Sequence, residues 1–399
     1  MRATAQVPGL RRPGSTGARL TAATCLLVLL AGGLARPADA QRLEPVEPLL
    51  EGPLPSPEIP PAIDAEAWLL MDVATGQVLG EQQGDQQRPV ASTIKILTEL
   101  TVLARAEPDE SVTVGEEVQV GGASVGLSPG DEWTVEQLLD ALVARSGNDA
   151  AEALAVHVAG DMEAFVELMT EDARALGLDE VVLTEASGLA DGNEVSARDL
   201  AVISQVALRD PEARPLLGRA EVDLPGVGLV ANRNELLGAY PGATGIKTGY
   251  TAAAGFGLVA SAERDGRELI AVVLGAGEDP ARFQDAIALL DHGFDEFEPH
   301  EVDVDWSLLV AGGRQSLQAA IGPVVVPAGA DVAVEGLPPG AATAGGLPLT
   351  LTLDGQPVAD VEAEVGERPD EVEATAALGR ALVDQVHRGM RRATAEAVW

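Results

Sequence analysis

The period of the apolar residues changes along this chain, and the points of change limit what it can fold into. Between residues 91 and 210 the apolar positions mostly recur at helical spacing. On both sides they run as short β-like segments broken by turn residues. AEAWLLMD and TGQVLGEQ flank Val73-Ala74-Thr75-Gly76 and predict a β-hairpin. VASTIKILTELTVLARA follows, with Ile94, Leu97, Leu100, Leu103 and Ala104 at helical spacing. DEWTVEQLLDALVARS, DAAEALAVHVAG and DMEAFVELMTEDARALG predict three more helices, the last capped by Asp161. SARDLAVISQVALRD predicts another, with Ser196 as cap and Asp199 as its capping-box acid. GIKTGYT and GFGLVASAERDGRELIAVVLGA then read as strand, turn, strand, with Arg264-Asp265-Gly266 in the turn. DPARFQDAIALLDHGFDEF closes this part as a helix over 279–297. Helices and strands come in blocks, the pattern of an α+β fold.

The two ends read differently. Residues 1–40 have the form of an export signal: Arg2, Arg11, Arg12 and Arg19, then the apolar TAATCLLVLLAGGLA, then Ala38-Asp39-Ala40 as a cleavage site. Cys25, the sole cysteine, lies inside that signal. Its removal would exclude disulfides and thiol catalysis. Residues 41–61 are a Pro-rich lead-in. After Phe297, VDVDW, GPVVVP, DVAVEG, LPLTLTLDG and VADVEAEV predict a small all-β domain over 298–367. Residues 368–399 return to an amphipathic helix, with Leu378, Leu382, Val386 and Met390 on one stripe and Arg380, Arg388, Arg391 and Arg392 outside it. Peripheral contact with an anionic membrane is the expectation for such a helix.

Composition narrows the chemistry. A formal net charge of −37 makes nucleic acid an excluded partner. Apolar residues reach 46% but aromatics only 3%, so the core is built mostly from Ala, Val and Leu. The chain has two lysines against 24 arginines. They stand in VASTIKILTEL (Lys95) and GATGIKTGYT (Lys247). Arginine stays protonated and cannot act as a base, so a lysine kept in such a chain points to a chemical need. Ser92 precedes Lys95 by three residues and shares its helical face. A serine is a poor nucleophile without a base in hydrogen-bond reach, and a desolvated lysine near other cations supplies one. The spacing alone is common; the alternatives are a capping serine and an exposed lysine. Lys247 sits in a β-former run where Gly249 lets a ligand or another backbone approach, against the alternative of a solvent-facing strand lysine. Ser146-Gly147-Asn148 lies between two helices and is by itself a common loop. His157, His292, His300 and His387 show no metal-ligand spacing and no phosphate loop is present, so no metal or cofactor is expected.

Taken in order, VASTIKILTEL, SGN and KTG resemble the three motifs of the penicillin-binding and serine β-lactamase superfamily. With MDVATGQVLGEQ, LSPGDEWTVEQLLDALVARSGNDAAEALA and EASGLADGNEVSARDLA, the chain more narrowly resembles the serine-type D-Ala-D-Ala carboxypeptidases. These are low-molecular-weight penicillin-binding proteins that trim peptidoglycan. The resemblance covers residues 62–297. It implies a transpeptidase-like catalytic domain, an antiparallel sheet with a helical subdomain, ahead of the β domain. It implies Ser92 as the acyl-forming nucleophile and Lys95 as its base. Ser146 and Asn148 would face the cleft, shuttling a proton and binding the substrate amide. Lys247 and Thr248 would receive the terminal carboxylate, and Gly249 and Tyr250 would line the same strand. The N–H groups of Ser92 and Tyr250 would form the oxyanion hole. The implied substrate is the peptidoglycan stem pentapeptide, with β-lactams as covalent inhibitors, at the outer face of the cytoplasmic membrane or in the wall. Val90 stands where the family usually has Pro, and Thr170 where it commonly has Asn; neither position carries chemistry. The motifs separate carboxypeptidase from endopeptidase or β-lactamase poorly. A non-catalytic wall-binding protein that kept the fold is the alternative from another class; Ser92, Lys95, Asn148 and Lys247 all being present stands against it.

Overall fold

The structure, a computed structural model, describes Pro45 and residues 63–310, 313–335 and 347–363. The expected export signal, the Pro-rich lead-in other than Pro45, and the C-terminal helix lie outside the described residues. The hairpin of β1 (Ala67–Asp72) and β2 (Val78–Gln82) forms as expected, with Gly76 at φ +69° in its turn. The two-residue β3 (Arg88–Pro89) leads through a 3-10 turn (Ala91–Ile94) into α1 (Lys95–Leu103).

The next helix begins later than the sequence suggests. Glu132–Thr134 is strand β5, paired with β4 (Ser111–Thr113), and α2 (Val135–Ala144) starts behind Thr134. The Thr134 hydroxyl accepts the Gln137 N–H, and the Gln137 side chain accepts the Thr134 N–H, so a capping box fixes that start. Periodicity could not separate the three strand residues from the helix they precede. Then come α3 (Asn148–Ala159) and α4 (Met162–Ala175), whose cap is Asp161 accepting from Ala164 N–H. After β6 (Glu194–Val195), which pairs with β3, α5 (Ala197–Arg209) starts in the expected box of Ser196 and Asp199. The short α6 (Ala213–Leu217) and a hairpin of β7 (Glu221–Leu224) and β8 (Gly228–Ala231) complete the helical block.

β9 (Ala243–Thr251), β10 (Gly255–Arg264) and β11 (Arg267–Ala276) then return to β1. The result is a five-stranded antiparallel sheet in the order β2-β1-β11-β10-β9. Asp265 and Gly266 link β10 to β11 with φ of +52° and +83°, positive at both central residues as a tight hairpin turn requires. The sheet is buried on both faces, which is why RELIAVVLGA reads as a continuous apolar run. Ala67, Leu69, Ile270 and Val272 point into the core shared with the helical block; Trp68, Leu70, Ala271 and Val273 point into a second core under α7 (Asp279–Glu296). Inside the helical block α1 is buried on nearly every side, packed by α2, α3, α4 and α5. Alanines supply much of that packing, as on α3, where Ala150, Ala151, Ala153 and Ala155 are all fully buried.

β12 (Phe297–Val310) and β13 (Gly313–Pro327) form a long hairpin, and β14 (Val332–Glu335), β15 (Leu347–Leu353) and β16 (Gln356–Ala363) a three-stranded sheet. Val302, Val324, Val326, Leu351 and Leu353 make a small core between them. The base of the hairpin is clamped to the rest by side chains: Arg267 Nη1 donates to the Phe297 carbonyl at 2.7 Å, and Gln77 holds the second strand. Buried Gln77 donates to the Val325 carbonyl at 2.6 Å and accepts the Val325 N–H at 2.9 Å, as a neighbouring strand would. Gln77→Ala leaves both Val325 groups buried without partners. Each costs about 1–3 kcal/mol, so urea unfolding of the variant is expected at a lower midpoint than the parent.

Candidate active site

Three segments far apart in sequence meet at the edge of the sheet: the start of α1, the turn before α3, and strand β9. Ala91 takes φ +49°, an uncommon conformation for a residue with a side chain, and turns the chain from β3 into the 3-10 turn that carries Ser92. One turn on, Lys95 is fully buried. Its Nζ donates to Ser92 Oγ at 3.1 Å, to Asn148 Oδ1 at 2.8 Å and to the Ser187 carbonyl. Ser92 Oγ donates to the same Ser187 carbonyl at 3.2 Å. As an ammonium, Lys95 thus uses its three donors on three acceptors. As a neutral amine it keeps two N–H groups for Asn148 and Ser187 and turns its lone pair to the Ser92 hydroxyl. That is the arrangement a general base needs.

Burial is also the main reason Lys95 can be neutral. Its pKa falls from the usual lysine range to about 7, driven first by desolvation and aided by Arg233, while Glu185, Asp149 and Glu152 pull it up. Lys247, also fully buried, falls well below its usual range through burial and the nearby Lys95, Arg233 and Arg282. Glu99, buried one turn beyond Lys95, is pushed well above the ordinary carboxylate range by desolvation and by Asp210 and Asp140.

A cavity of about 400 Å³ opens beside Ser92, with Ser146, Asn148, Thr248, Gly249 and Tyr250 on its walls. Asn148 reaches Lys95, and its Nδ2 donates to the Gly121 carbonyl at 2.9 Å, which sets the amide's orientation. Ser146 sits at φ +62° in the turn, and among the described residues its hydroxyl makes no bond to Ser92 or Lys95. Strand β9 is an edge strand, as a strand beside a bound peptide would be. A Cβ at Gly249 would lie 2.9 Å from the Val90 carbonyl oxygen and 3.1 Å from the Ser92 amide nitrogen, so a side chain there would force β9 away from Ser92. Lys247 stands behind the cavity wall and donates to the Thr248 carbonyl at 3.0 Å. Tyr250 is 56% exposed and stacks on Phe256 with ring centroids 4.3 Å apart.

The motifs missed three contributors. The Ser187 carbonyl is backbone and has no side-chain signature. Arg233 and Arg282 both line the cavity but stand among 24 arginines with nothing in their spacing to mark them. Arg282 is occupied: it pairs with Asp279 at 2.5 Å and donates to the Gly249 carbonyl at 3.1 Å. Arg233 has no acid partner among the described residues, and desolvation lowers its pKa.

A central antiparallel sheet, a helical block and a buried Ser–Lys–Asn group at the sheet edge define the fold class of the penicillin-binding proteins. The crystal structure of penicillin binding protein 6B from Escherichia coli is similar at 33% identity and a TM-score of 0.65, covering 78% of this chain and 98% of that one. The profile of the peptidase S11 family, D-alanyl-D-alanine carboxypeptidase, matches residues 55–278, and the chain belongs to that family. The D-alanyl-D-alanine carboxypeptidase DacC of Escherichia coli (strain K12) is 38% identical over 253 residues, 60% of this chain and 63% of that protein. DacD of Salmonella typhimurium is 40% identical over 253 residues, 60% of this chain and 65% of that protein. The chain therefore aligns with slightly less than two thirds of either relative.

With only two lysines, the protonation of the site is directly readable. Side-chain NMR of protein labelled at lysine Cε is expected to give two signals, one titrating at about pH 7. Lys95→Arg should remove that signal. A Lys95 signal titrating in the ordinary lysine range would contradict the desolvated site.

Proposed function

We propose that this chain is a serine-type D-Ala-D-Ala carboxypeptidase that removes the terminal D-alanine from peptidoglycan stem pentapeptides. The observation that carries the reading is the hydrogen bond from a fully buried Lys95 Nζ to Ser92 Oγ. Neutral Lys95 takes the Ser92 proton as Oγ attacks the carbonyl of the penultimate D-alanine. The oxyanion forms against the N–H groups of Ser92 and Tyr250, and the proton passes by way of Lys95 and Ser146 to the leaving amine. D-Alanine departs, and water hydrolyses the acyl group on Ser92. Asn148 binds the substrate amide. The terminal carboxylate meets Thr248 and Arg233 on the cavity wall, and its negative charge favours the protonated form of Lys247 behind that wall.

In this reading residues 62–297 are the catalytic domain, 298–367 a β appendage, and β-lactams acylate Ser92 as substrate mimics. No helix among the described residues is long and apolar enough to cross a membrane. Export rests on residues 1–40, and peripheral membrane contact on the arginine-flanked stripe of 368–399. Flotation with anionic liposomes is expected for the mature protein and not for a version ending at Pro369.

Labelled penicillin followed by digestion tests the reaction. A covalent adduct is expected on the peptide containing Ser92; no adduct, or one elsewhere, would sink the proposal. Lys95→Arg should slow acylation by a factor of at least about 10². Release of D-alanine from a pentapeptide then separates carboxypeptidase from endopeptidase and from β-lactamase.

A further inference from the structure

One carbonyl serves both members of the Ser92–Lys95 pair. Ser187 C=O accepts from Lys95 Nζ and from Ser92 Oγ, so its direction governs how the two face each other. The loop that bears it crosses the nucleophile's own backbone: Gly188, at φ +70°, packs so closely that a Cβ would collide with the Ala91 carbonyl. What anchors residue 187 is a carboxylate two residues back. Glu185 Oε2 accepts the Ser187 N–H at 2.6 Å and the Ser187 hydroxyl at 2.5 Å. That hydroxyl in turn accepts the Leu189 N–H at 3.2 Å. The loop behind is knitted by Asn193, whose Oδ1 accepts the Thr184 N–H at 2.7 Å and whose Nδ2 donates to the Glu185 carbonyl at 2.9 Å. Thr98 on α1 holds the intervening Ala186 carbonyl at 2.7 Å.

We propose that Glu185 is a positioning residue for the nucleophile pair: by fixing the Ser187 amide and hydroxyl, it aims the Ser187 carbonyl at Lys95 and Ser92 together. Glu185 touches neither reacting atom and acts through residue 187, whose N–H and hydroxyl it holds. The inference rests on the acyl-transfer reading of Ser92.

The same carboxylate has an electrostatic consequence. The charged groups facing Lys95 are Glu185 on this loop, Asp149 and Glu152 on α3, Arg233 on the segment after β8, and Lys247 on β9. Glu185 is foremost among those that raise the Lys95 pKa against burial. Removing its charge lets the pKa fall further, so the neutral base persists to lower pH. Geometry and charge are therefore separable. Glu185→Gln keeps an acceptor for the Ser187 groups and loses the charge; Glu185→Ala loses both.

The test combines lysine Cε NMR, read without substrate, with the pH profile of penicillin acylation of the full mature chain. Glu185→Gln is expected to move both midpoints down by about half a pH unit, the effect of one screened charge several ångströms away, and to retain most of the plateau rate. Glu185→Ala is expected to lower the plateau about tenfold, because loss of aligned geometry slows the step even when the base is neutral. A merely structural role would lower the melting temperature of both variants and leave the midpoint in place. Wild-type plateau acylation in Glu185→Ala, or an unmoved lysine midpoint in Glu185→Gln, overturns the inference. If Glu185→Ala does not fold, Glu185→Asp, whose shorter carboxylate keeps the charge but withdraws from the Ser187 N–H and hydroxyl, decides by its plateau: a lowered plateau is expected, and a wild-type one overturns the inference. Absence of Ser92 acylation in the parent protein would instead overturn the proposed reaction and leave the lysine titration to judge Glu185.

Discussion

The site depends on keeping one amine out of water. A lysine loses several kcal/mol of hydration when buried, and a protein recovers that only by supplying acceptors or by letting the group go neutral. Here both routes meet at Lys95. Three acceptors from three segments converge on Nζ: the Ser92 hydroxyl, the Asn148 amide and the Ser187 carbonyl. Desolvation meanwhile lowers the cost of losing the proton. Enclosing the amine requires α1 to be covered on nearly all sides, so the helical block is as much the insulation of Lys95 as it is a scaffold.

The sheet answers a different requirement, which is to bring β9 alongside Ser92. Its two apolar faces pack against the helical block and against α7, which fixes β10 and β11 and leaves β9 at the edge. Gly249 then allows contact between the edge strand and the Ser92 turn. Arg282 joins the two requirements: rooted on α7, it reaches through to the Gly249 carbonyl.

Elements with a strong local signature were legible in the sequence. The Ser196–Asp199 box, the Asp161 cap and the Asp265-Gly266 turn each follow from side chains acting on their own backbone. The start of α2 was not, because Glu132–Thr134 pairs with β4, and a three-residue strand has no period of its own. The site divides in the same way. Lysine scarcity singled out Lys95 and Lys247 by chemistry, and the ordered motifs added Ser92, Asn148 and the β9 residues. The Ser187 carbonyl stayed hidden because its role belongs to a peptide group, which every residue has. Arg233 stayed hidden because only the fold gathers it to the cavity, where it has no acid partner among the described residues.

Both lysines of the chain are buried, and there are no others. The folded protein therefore presents no side-chain ammonium to solvent at all, and every positive charge its surface side chains carry above neutral pH is a guanidinium. Reagents and metabolites that attack amines, such as aldehydes, cyanate and activated esters, find only the α-amino group until the fold opens. Amine modification of this protein would then report on unfolding rather than on its surface, since the first side-chain amines to react are the two that the fold conceals.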